Sequence, residues 1–195
     1  MKMESDPIRL FNTWFADANS KVKKLPERAA LATASAKGRP TCRMVLLKNV
    51  NEKGFVFYTN YNSPKAREIE ENPFAALTFH WVETGRQVRI EGKVEKVSPE
   101  ESDDYFATRP RQSQLGAWAS EQSVTLASRF ALLRQVIRVA ARFMNKPVQR
   151  PAHWGGYCII PDSMEFWEEK PFRLHDRFLY KRNQHGDWQR KRLSP

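Results

Sequence analysis

The sequence predicts an α+β, mainly β fold: a barrel-like antiparallel sheet with peripheral helices. Three observations carry this reading. Roughly seven or eight short apolar or alternating segments are separated by turn signals, and their order favours sequential pairing. Helical periodicity is confined to a few stretches that do not alternate regularly with the strands, which disfavours a doubly wound parallel sheet. The 195 residues, 41% hydrophobic and 12% aromatic, are enough for one sizeable core, so a single domain over residues 1–195 is expected.

The elements follow in order. Ser5-Asp6-Pro7 supplies a cap and an early proline, and Leu10, Phe11, Trp14 and Phe15 recur at helical spacing. Residues 1–27 therefore read as an N-terminal helical segment. Ala30–Ala36, Thr41–Val50 and Phe55–Thr59 read as a meander, with turns at Lys37-Gly38-Arg39-Pro40 and Asn51-Glu52-Lys53-Gly54. Ser63-Pro64 opens a short helix that Pro73 limits. Phe74–Trp81 and Arg86–Val97 are the next strands. In the second, Gln87, Arg89, Glu91 and Lys93 alternate with Val88, Ile90 and Gly92, which gives one polar face. Ser98 and Glu101 have the capping-box spacing for a helix to about Thr108, and Gln112–Ala119 continues beyond Arg109-Pro110. Thr125–Met144 reads as a long helix. Leu126, Phe130, Leu133, Ile137, Ala140 and Met144 form one stripe on it, and Arg134, Arg138 and Arg142 another. Strands at Tyr157–Ile160, Met164–Trp167, Phe178–Lys181 and Trp188–Leu193 complete the chain, the last three lying in the C-terminal segment 163–195.

Charge and motif content narrow the function. Lys and Arg total 33 against 22 Asp and Glu, a formal net charge of +11, which invites partners that carry phosphate. No apolar run exceeds four residues, so neither a membrane span nor a signal-peptide core is expected. Only Cys42 and Cys158 occur, and the four histidines are far apart, so no disulfide framework and no metal site are expected. A soluble cytoplasmic protein follows from these signals. Glycine-rich phosphate loops and the Gly-x-Ser-x-Gly elbow are absent. The stripe of arginines after Thr125 has no interleaved aromatics for base stacking, which argues against nucleic acid.

Three segments hold more polar chemistry than a structural element requires. In Arg43-Met44-Val45-Leu46-Leu47-Lys48, alternation puts a cation on each face beside apolar residues, which suits a planar charged ligand. It also suits an edge strand protected by its charges. Tyr105, Arg109 and Ser113 offer two hydroxyls and a guanidinium to a phosphate dianion, although such an arginine can also cap its own helix. On a strand, Arg173, His175 and Arg177 would share one face, and these groups repel each other unless an anion or carboxylate lies among them.

The joint order of these and further motifs resembles the pyridoxine (pyridoxamine) 5′-phosphate oxidases, FMN-dependent flavoproteins with a split β-barrel. The matching stretches are Arg43–Lys48, Phe57–Asn60, Arg86-Gln87-Val88, Tyr105 to Ala117, Gln122-Ser123, Trp154-Gly155-Gly156, Glu165-Phe166-Trp167 and Arg173–Arg177. The resemblance implies an FMN-binding split barrel with peripheral helices, a homodimer with FMN at the subunit interface, and no membrane or nucleic-acid partner. It implies that Arg43, Met44, Val45, Leu46, Leu47, Lys48, Tyr58, Thr59, Lys65, Gln87, Gln122, Ser123, Trp167 and Arg177 hold FMN. Lys48, Tyr105, Arg109 and Ser113 would hold the substrate phosphate. Arg173, Leu174 and His175 would close over the pyridine ring, with Arg173 and His175 at the reacting end. The implied reaction oxidises pyridoxamine or pyridoxine 5′-phosphate with O2, giving pyridoxal 5′-phosphate and H2O2. One position departs from the family pattern. Pro64 stands in Ser63-Pro64-Lys65 where the family usually has arginine, which removes a positive charge and a backbone donor.

Overall fold

The computed structural model describes residues 4–195. Its strands are β1 (Arg28–Ala34), β2 (Pro40–Val50), β3 (Phe55–Asn60), β4 (Phe74–Trp81), β5 (Arg86–Lys96), β6 (Trp154–Glu168), β7 (Asp176–Arg182) and β8 (Trp188–Arg192). Its helices are α1 (Pro7–Lys21), α2 (Pro64–Glu71), α3 (Pro99–Thr108), α4 (Arg111–Ala119) and α5 (Arg129–Arg142). The strands form one antiparallel sheet in the order β3-β2-β1-β4-β5-β6-β7-β8, and β3 also pairs with β6. That pairing closes β1 to β6 into a six-stranded barrel and leaves β7 and β8 as an extension. The α+β, mainly β barrel expected from the sequence is the observed fold.

Alternation decides what fills the barrel. Val88, Ile90 and Val94 of β5 point inward to Leu31, Phe57, Leu77, Phe79 and Phe166. The α1 helix plugs one end. Its Asp6 cap accepts the Ile8 N–H at 2.8 Å, and the Phe11 ring meets Phe55 at 4.9 Å and Phe79 at 5.1 Å. A smaller apolar cluster of Phe106, Leu115, Val148 and Trp154 lies under α3, α4 and α5.

Three sequence expectations need correction. The Tyr157–Ile160 and Met164–Trp167 segments belong to the single strand β6. Pro161-Asp162-Ser163 resembles a turn in sequence, but the chain passes through it with a register shift opposite Glu91 and Gly92. Gly92 makes this possible, because a Cβ there would sit 2.0 Å from the Ile160 carbonyl oxygen. Second, Arg173 and His175 are not on a strand. Pro171–Arg173 forms a 3-10 turn in which Phe172 and Arg173 take φ values of 59° and 61°, and β7 begins only at Asp176. Strand alternation therefore does not place Arg173, His175 and Arg177 on one face. Third, α5 begins at Arg129, where the Ser128 hydroxyl accepts the Ala131 N–H at 3.2 Å. Val139, Ala140 and Phe143 pack inward, and the stripe of Leu126, Phe130, Leu133, Ile137 and Met144 faces outward. Arg111, donating to the Phe143 carbonyl at 2.7 Å, and Arg142, over the Trp118 ring at 4.9 Å, hold that rotation.

Gly92→Ala is expected to lower stability by about 2–3 kcal/mol, because the new methyl group meets backbone that cannot move aside. Urea unfolding of the two proteins measures this, and equal midpoints would show that β6 tolerates a side chain at the shift.

Candidate active site

A cleft of about 410 Å³ gathers residues that are distant in sequence. Met44, Val45, Leu46 and Lys48 come from β2, Tyr58 and Thr59 from β3, and Lys65 from α2. Tyr105, Arg109, Ser113 and Gln122 come from α3, the turn after it, α4 and the segment beyond. One wall is an aromatic stack. Tyr58 lies 4.0 Å from Tyr105 and 5.3 Å from Trp154, with ring planes within 14° and 8° of parallel. Gly156 allows the stack to close, since a Cβ there would come within 2.8 Å of the Tyr58 ring. Burial pushes the Tyr58 hydroxyl up to about 12 and raises that of Tyr105, so both remain proton donors at neutral pH.

Two cations in this cleft lack a carboxylate partner among the described residues. Arg109 leaves the end of α3 in an extended conformation, with its guanidinium 4.6 Å from the Trp154 ring centre. Its Nη1 is buried and has no hydrogen-bond partner, and burial lowers its pKa. The self-capping role open to it in sequence is therefore not realised. Lys65 is 7% exposed. Its Nζ donates to Thr59 Oγ1 at 3.0 Å, Ser63 Oγ at 3.2 Å and Gln122 Oε1 at 3.3 Å, all neutral acceptors. Burial, then repulsion from Arg43, push the Lys65 ammonium down to about 8. A buried ammonium held by neutral oxygens gains most from an incoming anion.

The other expected residues fall outside this cleft. Arg43 bonds to Thr41 and pairs with Glu68 at 3.3 Å. Burial opposes ionisation of Glu68, but hydrogen bonds from Thr33, Thr41 and Arg43 outweigh it and hold the carboxylate ionised. Leu47 is turned into the barrel core, and Ser123 is exposed with φ of 67°. Gln87, Trp167 and Arg177 lie side by side in register across β5, β6 and β7. Arg177 Nε donates to Glu165 Oε1 at 2.8 Å. The His175 ring sits 4.5 Å from the Trp167 ring, and its Nδ1 accepts the Lys170 N–H at 3.2 Å, so a neutral ring carries its proton on Nε2. Arg173 and Leu174 are exposed on the turn before β7. The chain thus holds two separate constellations.

Several contributors escape residue-type reasoning. Trp154 supports Arg109, and Thr33, Thr41 and Glu68 fix Arg43. The signal for Trp154 is the Gly155-Gly156 pair behind it, where side chains would strike Tyr61 and Tyr58. Nothing local in the sequence marks Glu68, which meets Thr33 only through the barrel.

The fold is that of the FMN-binding split-barrel flavoproteins. Residues 15–143 match the family model described as pyridoxamine 5′-phosphate oxidase, and residues 154–195 match the pyridoxine 5′-phosphate oxidase C-terminal dimerisation region. The pyridoxine/pyridoxamine 5′-phosphate oxidase of Paraburkholderia phytofirmans is 49% identical over 194 residues, covering 99% of this chain and 91% of the relative. That of Rubrobacter xylanophilus is 53% identical over 192 residues, covering 98% and 88%. The crystal structure of PhzG from Burkholderia lata, in complex with tetrahydrophenazine-1-carboxylic acid, superposes with a TM-score of 0.94 at 32% identity, covering 100% of this chain and 95% of that one. A pyridoxamine 5′-phosphate oxidase-related, FMN-binding protein from Nostoc punctiforme shares the fold, with a TM-score of 0.79 at 19% identity and coverage of 99% and 100%. The chain belongs to the pyridoxamine 5′-phosphate oxidase family.

FMN is the cofactor, and the buried Lys65 with its neutral acceptors suits a phosphate. The low pKa of Lys65 has two consequences. Between about 8 and the unfolded value near 10.5, the unfolded chain carries a proton that the folded apoprotein lacks. Lys65 therefore contributes a rise in apoprotein stability with pH, which is expected to show between about pH 8 and 9, before the Cys158 thiol, pushed up to about 11 by burial, contributes an opposing fall; Lys65→Met is expected to abolish the rise. With Lys65 assigned to the FMN phosphate, as proposed below, FMN affinity is expected to fall above about pH 8 in the wild type, because binding would then need a proton taken up by Lys65. Flavin fluorescence quenching against pH measures this, and a flat profile would contradict it.

Proposed function

We propose that the protein is a pyridoxine/pyridoxamine 5′-phosphate oxidase, using FMN and O2 to produce pyridoxal 5′-phosphate and H2O2. The observation that carries this reading is the orphaned Nη1 of Arg109, buried over Trp154 beside Lys48, Tyr105 and Ser113. That group suits the phosphate of a small substrate. The neighbouring Lys65, with Met44, Val45, Leu46, Tyr58, Thr59 and Gln122, is assigned to FMN. Arg43, held by Glu68, lies behind it.

Bound FMN supplies a two-electron acceptor that dioxygen can reoxidise. The chain supplies position and charge. Lys48, Tyr105, Arg109 and Ser113 hold the phosphate remote from the reacting carbon, so that binding energy there orients the pyridine ring. Trp154 and the two tyrosines keep water from the guanidinium, which strengthens its hold on an anion. Arg173, Leu174 and His175 stand on an exposed turn in the same chain, beside the Gln87–Trp167–Arg177 row. In the reading proposed here, a second subunit brings these residues over the first cleft, which makes the active protein a homodimer with FMN at the interface. The match to a dimerisation region supports this assembly. His175, with Nδ1 occupied by Lys170, has Nε2–H free to orient the substrate.

A second reading has a specific motive. Pro64 withdraws a charge and a donor next to Lys65, which is consistent with FMN or pyridoxal phosphate binding without turnover. The ligand in the PhzG crystal structure, an aromatic carboxylic acid, marks a different substrate class. The anion pocket and the higher identity to the named oxidases favour the phosphorylated substrate.

Anaerobic addition of pyridoxamine 5′-phosphate is expected to bleach the flavin absorbance of the purified protein, and readmitted O2 to restore it with release of H2O2. No bleaching with either phosphorylated substrate would overturn the proposal. Arg109→Leu is expected to lower kcat/KM about 100-fold while flavin stays bound, as loss of a charged, desolvated hydrogen-bonding group implies. Arg173→Ala and His175→Ala are expected to impair turnover more than FMN retention, and Arg43→Ala to do the reverse.

A further inference from the structure

The outward face of α5 has no role in the proposed reaction. Of the twelve exposed large hydrophobic side chains among the described residues, six fall in one segment: Val124, Leu126, Phe130, Leu133, Ile137 and Met144. That concentration makes a patch, whereas isolated apolar side chains on a surface are ordinary. Phe130, Leu133 and Ile137 follow helical spacing and form a ridge, on which Phe130 is 75% exposed. Arg134 and Arg138 run along one side of the ridge, and Arg129 starts the helix. None of these three arginines joins an ion pair among the described residues. The chain carries no carboxylate between Glu121 and Asp162.

The face therefore offers protruding apolar groups in a field of one sign. A second copy packed ridge to ridge would set arginines against arginines, with no acid in the segment to relieve them. The matched dimerisation region, residues 154–195, lies elsewhere in the chain. Nucleic acid would satisfy the arginines but leave Phe130, Leu133 and Ile137 in water. An anionic bilayer surface satisfies both sets of groups, the acyl boundary taking the ridge and the headgroups taking the arginines. We propose that α5 is a peripheral docking helix for anionic phospholipid membranes. The short apolar runs of the sequence exclude only a spanning segment. A helix of 14 residues lying flat requires none.

The test is co-sedimentation of the flavin-loaded protein with vesicles of phosphatidylcholine, with or without about 30 mol% phosphatidylglycerol. Binding is expected only to the anionic vesicles, and to weaken at high salt. Arg134→Gln and Arg138→Gln are each expected to weaken it about fivefold. Phe130→Ser combined with Ile137→Ser is expected to abolish it without changing flavin absorbance or thermal melting. If that double variant does not fold, the two arginine variants decide. Absence of binding, equal binding to both vesicle types, or unchanged binding by the arginine variants overturns the proposal. So does self-association, seen by light scattering, that the double variant removes while the wild type ignores vesicles.

Discussion

The fold and the site both depend on one strand, β6, serving two sets of partners. Its first part, Trp154–Ile159, closes the barrel against β3, and its last part, Ser163–Glu168, carries the β7–β8 extension. The first part places Trp154 under Arg109 and beside Tyr58. The last part places Trp167 between Gln87 and Arg177. Trp154 and Trp167 stand thirteen residues apart on this strand, a separation of up to about 40 Å at about 3.3 Å per residue. The two constellations thus sit at opposite ends of β6. In the proposed reading, a second chain brings one constellation to the other's cleft.

Electrostatics sharpen this arrangement. An excess of eleven positive charges says only that anions are welcome. Placement says which ones matter. Arg43, Arg86, Arg89 and Arg177 are committed to carboxylates within the sheet and its neighbours. Lys65 and Arg109 are held in a cleft without such partners, at a cost in desolvation that a bound phosphate offsets. In the proposed reading, these two positions, one beside β3 and one over Trp154, serve a cofactor phosphate and a substrate phosphate.

Much of the fold was legible in the sequence because the local signals agree with one another. The Phe74–Trp81 strand is bounded by Pro73 and the turn at Gly85, and it is observed over the same residues. The Ser98 cap of α3 appears as expected, its hydroxyl accepting the Glu101 N–H at 3.1 Å. Legibility failed where tertiary context overrides local pattern. Pro161-Asp162-Ser163 continues a strand because Gly92 gives it room. The apolar stripe on α5 faces outward because Arg111 and Arg142 fix the helix by its other side. The Pro171–Arg173 turn depends on left-handed conformations at Phe172 and Arg173, which neither residue type announces. In the site, residue types sufficed for the hydroxyl and cation group of Tyr105, Arg109 and Ser113. They did not reveal Glu68 of α2, whose partners Thr33 and Thr41 lie on β1 and β2.

Subunit complementation tests the two-constellation arrangement most directly. Arg109→Leu damages one constellation and His175→Ala the other, and each homodimer would carry two damaged sites. Mixed and allowed to exchange subunits, half of the dimers would be hybrids with one intact site each, so activity is expected to recover to about a quarter of the wild-type value. A mixture that remains inactive, while labelled subunits are seen to exchange, would contradict the assignment of the active site to residues from two chains.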